Sequence, residues 1–326
     1  MQNQNYLHDS IYATAIADAL GQVTQFQGNR LNSSDPLIQT MMPGDLGTIA
    51  GTWSDDTSLT LATLAALSQP MTLATEQLED TMQNFAAWLN NGRFTTTGVA
   101  FDVGAGTQDA LTQYQVTDDL FHSGSSHERN NGNGALMRML PVALYVIRQG
   151  QGHPFDHPEL VDLVINLAQL THRHPRSTVA CLIYVSLATQ LLADQPRTVA
   201  TVNQAVANVA HFIHERPRLN DQLPFFTDLT TPDFANHSTE TLNTSGYVVS
   251  TLITACWLLI QPLNLAQLVV AGVNLGGDSD TITSIAAGLM ALQIDLASFP
   301  EQWLSQLQGR SLIDQLLAKA AASNHF

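Results

Sequence analysis

The chain has 326 residues, a net charge of −16 with histidine neutral, 44% hydrophobic residues and only 12% charged ones. That length supports a large buried core, and that apolar content excludes a disordered chain. The acidity works against attraction to phosphate backbones or anionic lipid, so neither nucleic acid nor a membrane is an expected partner.

The N-terminal MQNQNYLHDS has no basic segment and no apolar run, so no signal peptide is read there. Residues 22–50 carry Gly, Pro, Asn and Ser and predict a long loop. Apolar residues then recur at helical spacing over 57–68 and 75–89. Residues 114–132, with the run HSGSSHERNNGNG, predict a second loop. Helices follow over 134–148, 158–171, 177–192 and 199–215. A third loop with three prolines covers 216–245, and helices return over 246–260, 265–273, 281–292 and 312–321. No alternating strand pattern stands out. The expected fold is all-α, a single domain over 1–326 in which small-residue helices such as LATLAAL lie at the centre of a bundle. The uncharged stretch 247–277 is broken by Gln261, Pro262, Asn264 and Gln267, so it reads as two core helices rather than one membrane span. Cys181 and Cys256 sit inside apolar runs and read as small buried hydrophobes, which suits a reducing, cytoplasmic setting.

Five segments could carry chemistry. Ser54-Asp55-Asp56-Thr57 opens the helix at 57–68. Such residues cap helix starts, but one side chain suffices for a cap and two adjacent aspartates exceed that need. Gly276-Gly277-Asp278-Ser279-Asp280-Thr281 opens a later helix. Its acid-x-acid spacing beside hydroxyls offers oxygens to a hard cation, and its glycines permit unusual backbone shapes. If the two helix starts meet, four carboxylates converge; a divalent cation relieves the repulsion, and all-oxygen ligands favour Mg or Mn over Zn. Asn130-Asn131-Gly132-Asn133-Gly134-Ala135 runs into the predicted 134–148 helix and reads either as a plain loop with an N-cap or as a phosphate site on free amides. Arg138, one turn further on, reads as a possible buried ion-pair partner. His172 and His174 stand at i and i+2 without a third ligand nearby, so a zinc set is disfavoured. Asp102, in Phe101-Asp102-Val103-Gly104, is either a turn former or a positioned acid–base group.

Taken in order, with Ala17-Asp18-Ala19-Leu20-Gly21 at the start and Ser245-Gly246-Tyr247 before the last motif, these segments resemble the ADP-ribosylglycohydrolase family over residues 11 to about 293. The resemblance implies an orthogonal all-α bundle with two Mg2+ or Mn2+ ions. Ser54, Asp55 and Asp56 would ligate them from one side, and Asp278, Asp280 and Thr281 from the other. Asp102 and Asp56 would serve catalysis. Asn131, Gly132, Asn133, Gly134 and Ala135 would hold the diphosphate, and His172 would line the ADP-ribose cleft. The implied reaction is hydrolysis of a glycosidic bond in ADP-ribosylated protein or an ADP-ribosyl small molecule by a monomeric enzyme. Ala17, Ser54 and Ser279 depart mildly from the family pattern. Gln25 departs more, because it stands where the family usually has a catalytic Glu, and an amide neither acts as a base nor carries anionic charge. A non-catalytic ADP-ribose or nucleotide binder is therefore the alternative.

Overall fold

The computed structural model describes residues 5–44, 47–70 and 73–326. The N-terminal MQNQ and positions 45–46 of the expected 22–50 loop lie outside the described residues. The chain folds as an all-α bundle: α1 (Tyr6–Gly21), α2 (Asp55–Leu67), α3 (Ala74–Asn91), α4 (Ala105–Thr117), α5 (Leu140–Gln149), α6 (Pro158–Gln169) and α7 (Pro175–Leu192). These are followed by α8 (Val199–Ile213), α9 (Pro217–Asn220), α10 (Val248–Ile260), α11 (Leu265–Val273), α12 (Ser279–Met290), α13 (Glu301–Gln306) and α14 (Arg310–Ser323). Among the described residues the β-structure outside helices amounts to two isolated bridges, Ser125 with His172 and Gly132 with Tyr247.

One hydrophobic cluster runs from Ile11 in α1 to Ala320 in α14. Trp53, Phe85 and Trp88 are fully buried in it. Burial of each such ring stabilises the fold by roughly 1.5–3 kcal/mol or more. Helices α10 and α11 are the two core helices expected from 247–277, and among the described residues no helix is long and apolar enough to cross a membrane. Both cysteines are buried and free.

Helix α1 is absent from the periodicity, and burial explains why. Every residue from Asp9 to Gly21 is buried, so no polar face marks the 3.6-residue repeat. Its alanines bring it close to α12, its most extensive partner. A Cβ at Gly21 would stand 2.4 Å from Asp280 Cα, so the end of α1 and the start of α12 touch through backbone.

Other boundaries also differ from the periodic pattern. The helix expected over 134–148 begins at Leu140, with Pro141 in its first turn, where a missing N–H costs nothing. Residues 134–138 are turns instead. Part of the expected 114–132 loop belongs to α4, which ends at Thr117. The 216–245 segment is built of α9 and 3-10 turns, pinned by buried Phe226, Leu229 and Phe234.

Candidate active site

The first wall of the site is set by a carboxylate that caps a helix from outside it. Asp18, near the end of α1, is fully buried. Its oxygens accept from the backbone N–H of Ser54 (2.9 Å) and of Thr57 (3.0 Å), and from the Thr57 hydroxyl (2.6 Å). A carboxylate at a helix N-terminus satisfies orphan amides and meets the positive end of the dipole. This frees Asp55 and Asp56 from capping, although Ser54 Oγ still accepts from Asp56 N. Burial raises the Asp18 pKa to about 6 against the opposing pull of these donors. Asp18 sits in one of the quoted motifs, but spacing alone assigns it no role.

The second wall is the start of α12. Gly276 and Gly277 adopt φ of +73° and +66°, which side chains disfavour. Close approach excludes side chains as well: a Cβ on Gly276 would meet Gln27 O at 2.4 Å, and one on Gly277 would meet Thr244 O at 2.3 Å. The turn they make delivers Asp278, Asp280 and Thr281 beside α2. The Thr281 hydroxyl donates to Asp56 Oδ2 over 3.1 Å, and the Ser284 hydroxyl to Asp56 Oδ1 over 3.3 Å. The two aspartate motifs therefore meet.

The meeting leaves negative charge without compensation. Burial, then the neighbouring carboxylates, push Asp55 and Asp280 well above the usual carboxylate range; Asp56 follows, and Asp278 is raised chiefly by burial. Both Asp280 oxygens are buried with no hydrogen-bond partner. Such a group costs several kcal/mol unless a cation meets it. Among the described residues no three His, Cys, Asp or Glu side chains form a ready metal cage. The expected ligand set, however, includes the hydroxyls of Ser54 and Thr281. Hard oxygen donors around an orphaned carboxylate fit Mg2+ or Mn2+.

A cleft of about 320 Å³ is lined by Asp55, Asp56, Asp278 and Thr281 and also by Gly132, Asn133, Gly134 and His172. Ser54 and Asp280 lie buried beneath it, Asn131 is buried under the loop, and Ala135 is fully buried in the core. Asn133 N donates to Gly246 O (3.1 Å), and Val248 N to Asn131 O (2.9 Å), strapping the loop to the start of α10. The Asn133 amide also donates to Thr251 (3.0 Å) and to Asp278, which joins the loop to the carboxylate wall.

His172 is prepared from behind. Fully buried Arg138 donates to Gly134 O (3.1 Å), Leu167 O (3.2 Å) and Thr171 Oγ1 (2.8 Å), and lies 4.5 Å from the Phe85 ring centroid. It serves carbonyls and a hydroxyl rather than the carboxylate that an ion-pair role requires. Because Thr171 Oγ1 accepts from Arg138, its proton is available to His172 Nδ1 at 2.8 Å. Burial, then Arg138, lowers the His172 pKa to about 3. The ring is thus neutral, with Nε2–H as its free donor. A Cβ on Gly106 would lie 3.2 Å from Nε2, and one on Gly134 only 2.8 Å from Cε1, so these glycines leave room for the imidazole.

Three features of the mouth escape a reading by spacing. Asp102 has φ +55°, and its Oδ2 is buried without a partner. Burial raises its pKa, while a hydrogen bond from Gln25 opposes that shift. Phe26, next to Gln25, also lines the cleft, yet it is 77% exposed. Outside the cleft lining, buried Arg176 donates to Glu128 (2.6 Å), Tyr247 (3.0 Å) and Gln222 (3.2 Å), tying the 114–132 and 216–245 segments together. His174, two residues from His172, pairs with Glu128 at 2.9 Å and takes no part in the cleft.

The sequence matches the ADP-ribosylglycohydrolase profile over residues 3–325, nearly its whole length. The chain belongs to the ADP-ribosylglycohydrolase family. Within the family it is 27% identical to the ADP-ribosyl-(dinitrogen reductase) glycohydrolase of Rhodospirillum rubrum, over 94% of this chain and 93% of the relative. It is 21% identical to the ADP-ribosylarginine hydrolase Tri1 of Pseudomonas putida (strain GB-1), covering 94% of this chain and 75% of that one. A solved structure titled as an ADP-ribosylglycohydrolase-related protein complex superposes with a TM-score of 0.73 at 24% identity, covering 98% of this chain and 97% of that one. That likeness establishes the family's all-α fold for this chain.

Proposed function

We propose that this ADP-ribosylglycohydrolase-family chain hydrolyses the glycosidic bond between ADP-ribose and a protein or small-molecule leaving group. Ser54, Asp55, Asp56, Asp278, Asp280 and Thr281 would hold two Mg2+ or Mn2+ ions. Bound there, the ions would orient the vicinal hydroxyls of the ribose and polarise water. The observation that carries the reading is the convergence of two aspartate motifs beneath a cleft, with Asp280 left unpartnered.

Neutral His172 presents Nε2–H to a phosphate or ribose oxygen, and Gly132, Asn133 and Gly134 line the same space. Asp102, raised in pKa and with a free oxygen, accepts the proton of the attacking water. Water oxygen bonds to the anomeric carbon, the C–N or C–O bond breaks, and the leaving group takes up a proton from solvent. Asp56, whose oxygens already accept from Thr281 and Ser284, keeps its carboxylate oriented towards the cleft floor. Relatives named for arginine linkage and for dinitrogen reductase make arginine-linked ADP-ribose the first substrate to try.

The test is release of ADP-ribose from arginine-, serine- and small-molecule-linked substrates during Mg and Mn titration, with Asp55→Ala alongside. Metal-dependent release lost in the variant is the expected result. No release from any substrate overturns the reading. Gln25 favours a second reading, a binder without turnover, because its amide supplies no base at the cleft. Tight ADP-ribose binding with no product would establish that alternative.

A further inference from the structure

Phe26 combines three properties that packing alone does not require. Its φ is +61°, an outlier for a bulky aromatic residue. Its side chain is 77% exposed, so no burial offsets that strain. The surrounding backbone holds it there: Phe26 N donates to Gly277 O at 2.6 Å, Gly277 N to Gln27 O at 3.0 Å, and Gln27 N to Thr24 O at 3.0 Å. Gly276 packs against the same Gln27 carbonyl. Strain over-determined in this way marks a placed residue rather than a loose loop.

The place is informative. Gly277 immediately precedes Asp278, and Phe26 lines the cleft together with Gln25, Asp102 and Asp278. Gly132, Gly134 and His172 line the same cleft. A ribose held over Asp278 brings its leaving group beside Phe26, whose amide is hydrogen-bonded to the residue before that aspartate. An exposed ring face attracts planar cations, guanidinium above all, and here nearby carboxylates add to that attraction.

We propose that Phe26 is a specificity-determining platform that stacks on a guanidinium leaving group and so selects arginine-linked ADP-ribose over neutral linkages. The proposal takes the identity of the ligand from the hydrolase reading, but its test reads binding rather than turnover. Calorimetry would compare ADP-ribose with a non-hydrolysable ADP-ribosyl-arginine analogue and with the corresponding serine analogue. The comparison uses wild type, Phe26→Ala and Phe26→Tyr, with excess Mg2+. Wild type should bind the arginine analogue about tenfold more tightly than the serine one. Phe26→Ala should abolish that preference, Phe26→Tyr should keep it, and ADP-ribose affinity should move less than twofold in both. A preference that survives Phe26→Ala overturns the proposal, as does an equal loss for all three ligands or no binding by any. A protein that binds with this pattern yet releases no ADP-ribose refutes the hydrolase reading alone.

Discussion

The Thr281 hydroxyl donates to Asp56 Oδ2 over 3.1 Å, joining two helix starts that lie 225 residues apart in sequence. Through this contact the two aspartate motifs become one site. The arrangement concentrates unpaired charge around Asp280 and makes the site's stability depend on what neutralises it.

Asp280→Asn should therefore stabilise the metal-free protein. The Asp280 pKa is raised on folding, so its favourable contribution is present below the unfolded value and is lost as pH rises through the folded one. The gain should accordingly grow with pH, reaching about 1–3 kcal/mol at pH 8 in chelator, by analogy with removal of other uncompensated buried charges. Added Mg2+ or Mn2+ should raise the melting temperature of wild type and leave the variant nearly unmoved. Thermal melts with and without metal would check both halves. A variant that responds to metal like wild type would contradict the assignment.

Gln25→Glu probes the mouth. The Gln25 side chain lies beside Asp102 in the cleft lining and opposes the burial-driven rise in its pKa. Glutamate removes that donor and adds a like charge, and both changes favour protonated Asp102. If Asp102 is the base, the acid limb of the kcat/KM profile should shift to higher pH. A profile from pH 5 to 9 decides the matter, and an unshifted limb would exclude Asp102 from the proton transfer.

His172 gives the fold an acid sensitivity. Its folded pKa, about 3, lies below the ordinary histidine value. Between that value and about 6.5 the unfolded chain binds the extra proton, so stability is full above 6.5 and declines as pH falls towards 3. His172→Gln should remove this component. Urea unfolding from pH 7 to pH 4.5 should show a shallower loss in the variant than in wild type.

Phe26→Gly should separate stability from recognition. Glycine accepts φ of +61° without the cost borne by an aromatic residue, and the exposed ring loses little by its removal. After the extra flexibility of the unfolded chain is counted, the variant should gain about 0.5 kcal/mol. Chemical denaturation would measure it. A clear loss of stability would mean that the ring packs more firmly than its exposure indicates.

Most of the bundle was legible because its peripheral helices have one wet face. Helices α3, α6 and α8 bury one stripe and expose another, which writes a 3.6-residue period into the sequence. Helix α1 has no wet face from Asp9 to Gly21, so the same test passes over it. Helix α5 starts only at Leu140 because the Gly134 carbonyl accepts from the Arg138 side chain rather than from a backbone N–H one turn on.

By itself, the sequence determined the all-α class, the family, and two aspartate-rich helix starts with an Asn/Gly loop between them. The class and the helix starts are local matters of periodicity and capping, and the family rests on the resemblance of the ordered motifs. Tertiary packing is what brings the two aspartate motifs together at one cleft and lets Asp18 cap α2 from α1. It also lets Arg138 and Thr171 set the His172 proton, and holds Phe26 exposed beside the start of α12. Two of these rest on backbone approaches between distant segments, Gly21 against Asp280 and Gly276 against Gln27. The sequence marks such approaches with a glycine but does not name the partner.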